Sequence, residues 1–481
     1  MESNLNVGTE LYINGAWVQS AGDVRFKVYN PATEEEIASV SSAAEADAKQ
    51  AIEAAYKAGS DWRGRSPRQR SEILRKAFDL MNEHKQKIAS LISLEEGKPI
   101  KEALGEVAYA AEFFRWYAEE AVRNTGILTR SPSGTNNILV QHQPVGVCLL
   151  ITPWNFPAAM ITRKIAPALA AGCTTILKPA CETPLTALLL ADLLEEAGVP
   201  PGVVNVIPSA NAAMIAEVIM NDDRVKKISF TGSTRVGRLL LKKASERVVN
   251  CSMELGGNAP FIVMDDADLD VAIESAVVAK MRNAGESCIG ANRFYVHNSI
   301  IDEFSKRFAL EMEALKIGGA SDEDCDVGPL ISAEAVEKVE DLVDDATKLG
   351  ANVLIGGKRL GGKGHYYLPT VITNIPPTAK ILQEEIFGPV APIIGFDTVD
   401  EVSEKANQTE LGLAAYIISG DVGRALSLSS QIDAGVIGLN RGFISDPAAP
   451  FGGMKQSGIG REGGQEGILE FLEKKYIAVD W

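Results

Sequence analysis

The unbroken apolar run Val145-Gly-Val-Cys-Leu-Leu-Ile151 sets the tightest limit on what this chain can fold into. A strand without polar alternation is buried on both faces, which calls for a parallel sheet covered by helices. The sequence that follows supplies them. A helix is predicted over 157–171, then the strand Thr174-Thr-Ile-Leu-Lys178 and a helix over 184–196. Next come Val203-Val-Asn-Val-Ile207, a helix over 210–220 and Lys227-Ile-Ser-Phe230. Such alternation with short Gly/Pro turns is the pattern of a doubly wound sheet. A second series begins at Ala259-Pro-Phe-Ile-Val-Met264. It runs through Phe294-Tyr-Val296 and segments 301–317, 333–349 and 351–355 to Val436-Ile-Gly-Leu439. Two α/β domains are expected.

Ahead of these units, residues 9–20 read as a hairpin around Asn14-Gly15. Residues 44–120 are helical in pattern, and Asn136 to Ile151 turns β-like. The last stretch, Tyr476-Ile-Ala-Val-Asp-Trp481, reads as a strand in need of a partner. The 481 residues allow two or three domains at roughly 150 residues each. No apolar run reaches the roughly 18–20 residues that span a bilayer, and residues 1–6 lack an export signal. The six cysteines are scattered, which suggests neither a disulfide framework nor a metal site and fits a reducing cytoplasm. The net charge of −17 disfavours nucleic acid as a partner. It would also repel a small anionic substrate, so buried arginines would have to capture one.

Cys288 lies in Arg282-Asn-Ala-Gly-Glu-Ser-Cys-Ile-Gly-Ala-Asn292, a polar, glycine-flanked stretch between apolar runs. Most cysteines are inert and buried, but a reactive thiolate needs access and hydrogen-bond donors, which this setting offers. The four histidines have no comparable surroundings, so a Cys–His hydrolase is disfavoured and another group must act as base. Glu254, in Met253-Glu-Leu-Gly-Gly-Asn-Ala-Pro260, reads as that base or as an ordinary solvated carboxylate. Asn155, in Ile151-Thr-Pro-Trp-Asn-Phe-Pro157, follows the buried strand, at the end where α/β sheets bind ligands. Its amide suits a developing oxyanion; a turn or helix cap suits it equally. Phe230-Thr-Gly-Ser-Thr-Arg-Val-Gly237 leads from a strand into a helix, as a phosphate cradle does. It is neither GxGxxG nor a P-loop, and Gly232 and Gly237 also fit ordinary turn chemistry.

Together, several segments resemble the NAD(P)-dependent aldehyde dehydrogenase superfamily, in its order and over nearly the whole chain. They are Pro153-Trp-Asn-Phe-Pro157, Leu177-Lys-Pro179, Phe230-Thr-Gly-Ser-Thr234, Glu254-Leu-Gly-Gly257, Gly285-Glu-Ser-Cys288, Glu384-Glu-Ile-Phe-Gly-Pro389 and Pro450-Phe-Gly-Gly453. The resemblance implies that the Cys288 thiolate attacks an aldehyde and that the Asn155 amide and Cys288 N–H hold the oxyanion. Hydride then leaves for the nicotinamide, and Glu254 activates the water that hydrolyses the thioester. Lys178 and Glu385 match ribose-binding positions, Phe387 the nicotinamide ribose region and Ser233 a pyrophosphate contact. Trp154, Gly232 and Leu255 complete the implied cofactor site. The implied fold is α/β, with a Rossmann-like cofactor domain over 1–124 and 145–256 and an α/β catalytic domain over 257–456. A small β oligomerisation element over 125–144 and 457–481 is expected to build a homodimer or homotetramer.

In this family an acid three residues after the lysine would bind the adenosine ribose and repel a 2′-phosphate. Cys181 stands there, small and neutral, which favours NADP over NAD, although Glu182 next door pulls the other way. Ala158-Ala-Met-Ile-Thr-Arg-Lys164, Lys280-Met-Arg-Asn-Ala-Gly285 and Phe443-Ile-Ser-Asp446 look most like members acting on succinate semialdehyde. Arg163, Arg282 and Ser445 match the residues that grip its distal carboxylate; a structural salt bridge is the alternative for either arginine. Gly290 replaces a second cysteine common in these relatives, which removes a local disulfide switch. Arg441 replaces a small or neutral residue near the substrate mouth, where it suits glutarate semialdehyde, a sulfonated aldehyde, or simply solvent. Two rival readings are an enzyme that acylates coenzyme A and a silent scaffold protein. Glu254 argues against the first; Cys288, Glu254, Asn155 and Lys178 together argue against the second.

Overall fold

The computed structural model describes residues 7–319, 322 and 324–481, so the reading of residues 1–6 lies outside the described residues. The apolar run becomes the strand Val147–Ile151, with Thr174–Lys178 on one side and Val225–Thr231 on the other, all parallel. Val204–Val206 and Asn250–Glu254 extend this sheet at its two ends. The chain moves outward from Val147–Ile151 in one direction, then returns to build the other half. A crevice therefore opens at the carboxyl ends of the central strands, where such sheets bind ligands. The expected helices Pro157–Ala171 and Pro184–Glu196 form between these strands. The hairpin Leu11–Ile13 and Ala16–Val18 closes one edge of the sheet. Asn14 and Gly15, at φ 56° and 74°, make its turn, which needs two residues with positive φ.

A second sheet runs through Thr370–Thr373, Val390–Phe396, Ala291–His297, Ala259–Val263, Ala414–Ile418 and Val436–Leu439, all parallel. Asn352–Ile355, expected within this series, pairs antiparallel at its edge. The helix predicted over 301–317 stops at Glu313, because Ile317 leaves it to bridge Val327. The terminal strand is Leu472–Val479 rather than 476–481. It starts early because Leu472 already pairs with Pro144, opening an antiparallel ladder along Asn137–Pro144. Ile127–Arg130 is the third strand of that small sheet.

The helical region resolves into Glu45–Gly64, Pro67–Glu83, Lys85–Glu96 and Ile100–Ala121. A Ser66/Gln69 capping box starts the second of these, and Gly97 at φ 98° stops the third. They enclose Pro157–Ala171, of which every residue is buried. Buried carboxylates tie the layers together. Glu95 accepts the Leu185 and Thr186 N–H groups at 2.8 and 2.9 Å, and Glu106 accepts those of Ala158 and Ala159 at 2.8 and 3.2 Å. Each carboxylate thus caps a helix N-terminus, where free N–H groups and the helix dipole favour negative charge. No helix among the described residues is long and apolar enough to cross a membrane.

Removing such a cap leaves two buried donors unpaired. Glu95→Ala should destabilise the fold by about 1–3 kcal/mol, measured as a lower urea midpoint with unchanged slope; an unchanged midpoint would show that the cap contributes nothing.

Candidate active site

Glu254 ends its strand at the carboxyl edge of the first sheet, and Ala259 begins a strand of the second. Between them the chain runs against the Cys288 segment. A Cβ on Gly257 would lie 2.1 Å from the Cys288 carbonyl oxygen, so only glycine fits. Gly285, at φ 81°, turns the nucleophile loop, and a Cβ there would lie 2.2 Å from the Gly388 carbonyl oxygen. Backbone contacts therefore converge three distant segments: 254–257, 285–288 and 385–389.

Cys288 is half-buried. Burial pushes its thiol up to about 12; Glu385 and Glu254 add to this, while Arg163 and Arg282 pull the other way. Glu254 is buried, and neither of its oxygens has a hydrogen-bond partner among the described residues. Burial raises its carboxyl well above the usual range, Glu462 adds to this, and Arg163, Lys164 and Arg461 oppose it. Burial therefore favours the protonated form of both groups, and the neighbouring arginines oppose it.

Asn155 follows Val147–Ile151 and donates its side-chain Nδ2 to the Glu286 carbonyl at 2.9 Å. An amide carries two hydrogens, so one remains for a ligand. The Cys288 N–H also has no acceptor among the described residues.

The two arginines differ. Arg163 is buried on Pro157–Ala171, its Nε 2.8 Å from a Glu462 oxygen, under the Phe451 ring at 4.3 Å. The salt-bridge alternative thus describes one end of its guanidinium, while Nη2 is buried with no partner among the described residues. Arg282 packs between Phe156 and Phe443, at 4.6 and 4.8 Å from the ring centroids, and donates to Ser445 Oγ at 3.4 Å. Among the described residues it forms no ion pair. Phe156, Arg282 and Phe443 help line a cavity of about 380 Å³ with Tyr109 and Met281. Arg441 is exposed and spends its Nε on the Phe443 carbonyl at 2.5 Å.

The groups expected to hold a dinucleotide sit along the sheet crevice. Lys178 is buried at the end of its strand, and its Nζ has no partner among the described residues. The Thr152 hydroxyl beside it, and that of Thr231 at the end of the strand Val225–Thr231, are buried and likewise unpartnered among the described residues. Ser233 caps the helix Thr234–Ser245, and its hydroxyl hydrogen remains free to donate. Trp154 meets Phe387 edge-to-face at 5.5 Å, and Phe387 takes a strained positive φ of 54°. Glu385 accepts the Gly257 N–H at 3.0 Å through one oxygen. Orphaned polar groups at strand ends are what a dinucleotide would satisfy, and the residues present fit that cofactor. Two details depart from expectation. Gly232 spends its N–H on the Glu254 carbonyl at 3.0 Å, leaving the helix N-terminus to face a phosphate. Gly237 serves packing, since a Cβ there would meet Leu255 at 2.5 Å. Cys181 donates its thiol to the Ser209 carbonyl at 2.9 Å, and Glu182 beside it is exposed.

Sequence reasoning missed Glu462, whose carboxylate meets both Arg163 and Lys164. It also missed the buried charges of Glu96, Lys98 and Glu106 beneath Asn155. For Glu96 and Glu106 the signal was a carboxylate on the buried face of a helix read only for its hydrophobic pattern; Lys98, between helices, and Glu462, in an isolated bridge, left none.

Residues 17–477 match the aldehyde dehydrogenase family. The chain belongs to that family. It is 52% identical to a succinate-semialdehyde dehydrogenase of Paenarthrobacter nicotinovorans over 443 residues, covering 92% of this chain and 98% of the relative. A 3-sulfolactaldehyde dehydrogenase of Pseudomonas putida is 45% identical over 98% of this chain and 96% of its own. The solved structure of an NADP-dependent enzyme of E. coli superposes with a TM-score of 0.98 at 44% identity, covering 100% of this chain and 99% of that one.

The raised thiol makes a testable statement about this aldehyde dehydrogenase. Thiolate fraction rises with pH below the pKa, so alkylation of Cys288 in the cofactor-free protein should accelerate about tenfold per pH unit between roughly 7 and 10. A plateau near pH 8, followed by peptide mapping of iodoacetamide label, would contradict it.

Proposed function

We propose that this enzyme oxidises succinate semialdehyde to succinate with NADP or NAD, NADP being favoured. Arg282 carries the reading: a guanidinium walled by aromatic rings, bonded to Ser445 and free of any ion pair among the described residues. Such a cation is ready for a substrate carboxylate, because charge-assisted bonds are strong in a desolvated pocket. The free Nη2 of Arg163 offers a second donor. Both arginines also act electrostatically on the Cys288 thiol, opposing the effect of burial. The name of the Paenarthrobacter relative supports the same substrate.

Cys288 attacks the aldehyde carbon as thiolate. Asn155 and the Cys288 N–H hold the resulting oxyanion. The bound cofactor supplies the hydride acceptor. Glu254 then takes a proton from the water that displaces Cys288 from the thioester; lifting a carboxyl towards neutrality makes it a stronger base. Lys178 and Glu385 would hold the ribose hydroxyls, Ser233 the pyrophosphate, and Trp154, Leu255 and Phe387 would shape the nicotinamide end. The small, neutral Cys181 leaves room for a 2′-phosphate.

A second reading, a sulfonated aldehyde, draws on Arg441 and on the Pseudomonas putida relative. Arg441 donates to the main-chain carbonyl of Phe443, whose ring packs on Arg282, which supports this reading. The cytoplasm is the compartment that the scattered cysteines support. A homodimer or homotetramer is supported by the unpaired outer edge of Leu472–Val479, on which Tyr476 is 59% exposed. The division into 1–124 with 145–256, 257–456, and 125–144 with 457–481 rests on the separate sheets. Gly458–Ile459 nevertheless adds to the first sheet beside Glu254.

Arg282→Leu should lower kcat/KM for succinate semialdehyde by about 10–150-fold, on the order of 1.5–3 kcal/mol, and leave butanal within about twofold. Equal losses on both aldehydes, or wild-type preference for 3-sulfolactaldehyde, would refute the assignment. Cys181→Asp should reduce kcat/KM with NADP and spare NAD, because a carboxylate there repels the 2′-phosphate; an unchanged ratio would remove Cys181 from cofactor choice.

A further inference from the structure

Beneath Asn155 lies a cluster of charge that the reaction does not use. Lys98 follows the helix Lys85–Glu96 and is 2% exposed. Its Nζ donates to Glu106 at 2.7 Å and to the main-chain carbonyl of Asn155 at 2.7 Å, and it stands 4.0 Å over the Phe156 ring. Glu96 accepts the Lys98 N–H at 3.0 Å with one oxygen and the side-chain amide of Asn283 at 2.6 Å with the other. That Asn283 amide also donates to the Asn155 carbonyl at 3.1 Å. Both lone pairs of the Asn155 carbonyl are thus engaged, and its side chain is fixed separately by Glu286.

The second end of the cluster is the nucleophile loop. Asn283, Ala284 and Gly285 are successively left-handed, at φ 54°, 50° and 81°. For the two residues that carry a Cβ this conformation is unfavourable by about 1–2 kcal/mol each. Glu96 holds the Asn283 side chain, and Glu102 accepts its backbone N–H at 3.0 Å. Burying Glu96, Lys98 and Glu106 together costs several kcal/mol of desolvation, and apolar residues of the same volume would serve stability as well or better. A buried, fully hydrogen-bonded polar cluster at this place points to geometry as its purpose.

We propose that Lys98, with Glu96 and Asn283, forms a positioning unit that locks the Asn155 amide and the Cys288 loop in register for oxyanion binding. The unit rests on the roles given above to Asn155 and Cys288. It acts through Asn155 and touches neither substrate nor cofactor. Glu106 joins it to the helix Pro157–Ala171, so the arm carrying Arg163 shares the same anchor.

A double-mutant cycle on the full-length enzyme tests this, with Lys98→Met and Glu96→Gln each made alone and with Asn155→Ala. Glu96→Gln keeps the side chain's shape and stands in if Lys98→Met does not fold. Losing an oxyanion donor costs about 100–1,000-fold in kcat, so displacing one should cost tenfold or more. KM for succinate semialdehyde and the iodoacetamide labelling rate of Cys288 should stay within about threefold, since neither needs the oxyanion contact. In the Asn155→Ala background either substitution should lower kcat by clearly less than it does alone, because one of the two oxyanion contacts that the unit positions is already gone. Full additivity in that background, or a loss confined to melting temperature, overturns the positioning role and leaves the site reading intact. If Asn155→Ala itself leaves kcat unchanged, the oxyanion assignment fails, and the positioning role falls with it.

Discussion

The two sheets meet where Gly257 lies against the main chain of Cys288, with no room for a Cβ between them. A thiol borne on one sheet and a carboxylate ending a strand of the other have to share one small volume. That is possible only if the chains carrying them pass at backbone distance. Gly285 against Gly388 repeats the device on the far side and brings Glu385 into the same space. The positions of Cys288, Glu254 and Glu385 are therefore fixed by contacts between main chains, which do not depend on side-chain rotamers. The rest of the site is arranged around that crossing.

Charge is distributed with the same economy. The chain carries −17 overall, yet Lys98, Arg163, Lys164 and Arg282 gather around one corner of its interior. Buried charges are costly unless paired, and Glu96, Glu106 and Glu462 pair most of them. Arg282 is left with a hydroxyl and aromatic faces. Under the proposed reading the substrate carboxylate completes that set, and an uncharged aldehyde of the same length does not.

Much of the architecture was legible in the sequence because it follows from local pattern. Apolar runs marked Thr174–Lys178 and Val436–Leu439 to the residue, and Asn14-Gly15 marked its turn. What escaped depends on contacts distant in sequence. The helix after Ile301 ends where Ile317 finds Val327, and the last strand starts where Leu472 finds Pro144. At the site, Cys288 and Glu254 stood out as polar groups beside glycines and apolar stretches, and Asn155 because it follows a buried strand. Glu462 and Lys98 did not, because a charged residue in a connecting segment looks solvated until the fold shows it buried. The partial capture of Arg163 by Glu462 belongs to the same class, as does the bond of Lys164 to the same carboxylate, 298 positions away in sequence.

The central claim is that Cys288 carries the acyl group and Glu254 governs its release. Peptide mass analysis of Glu254→Gln, mixed with succinate semialdehyde and NADP and quenched in acid, tests it most directly. The account predicts one succinyl group on the peptide containing Cys288, accumulating in the variant and short-lived in the wild type. A succinyl group on another residue, or turnover by the variant at the wild-type rate with no adduct, would contradict it.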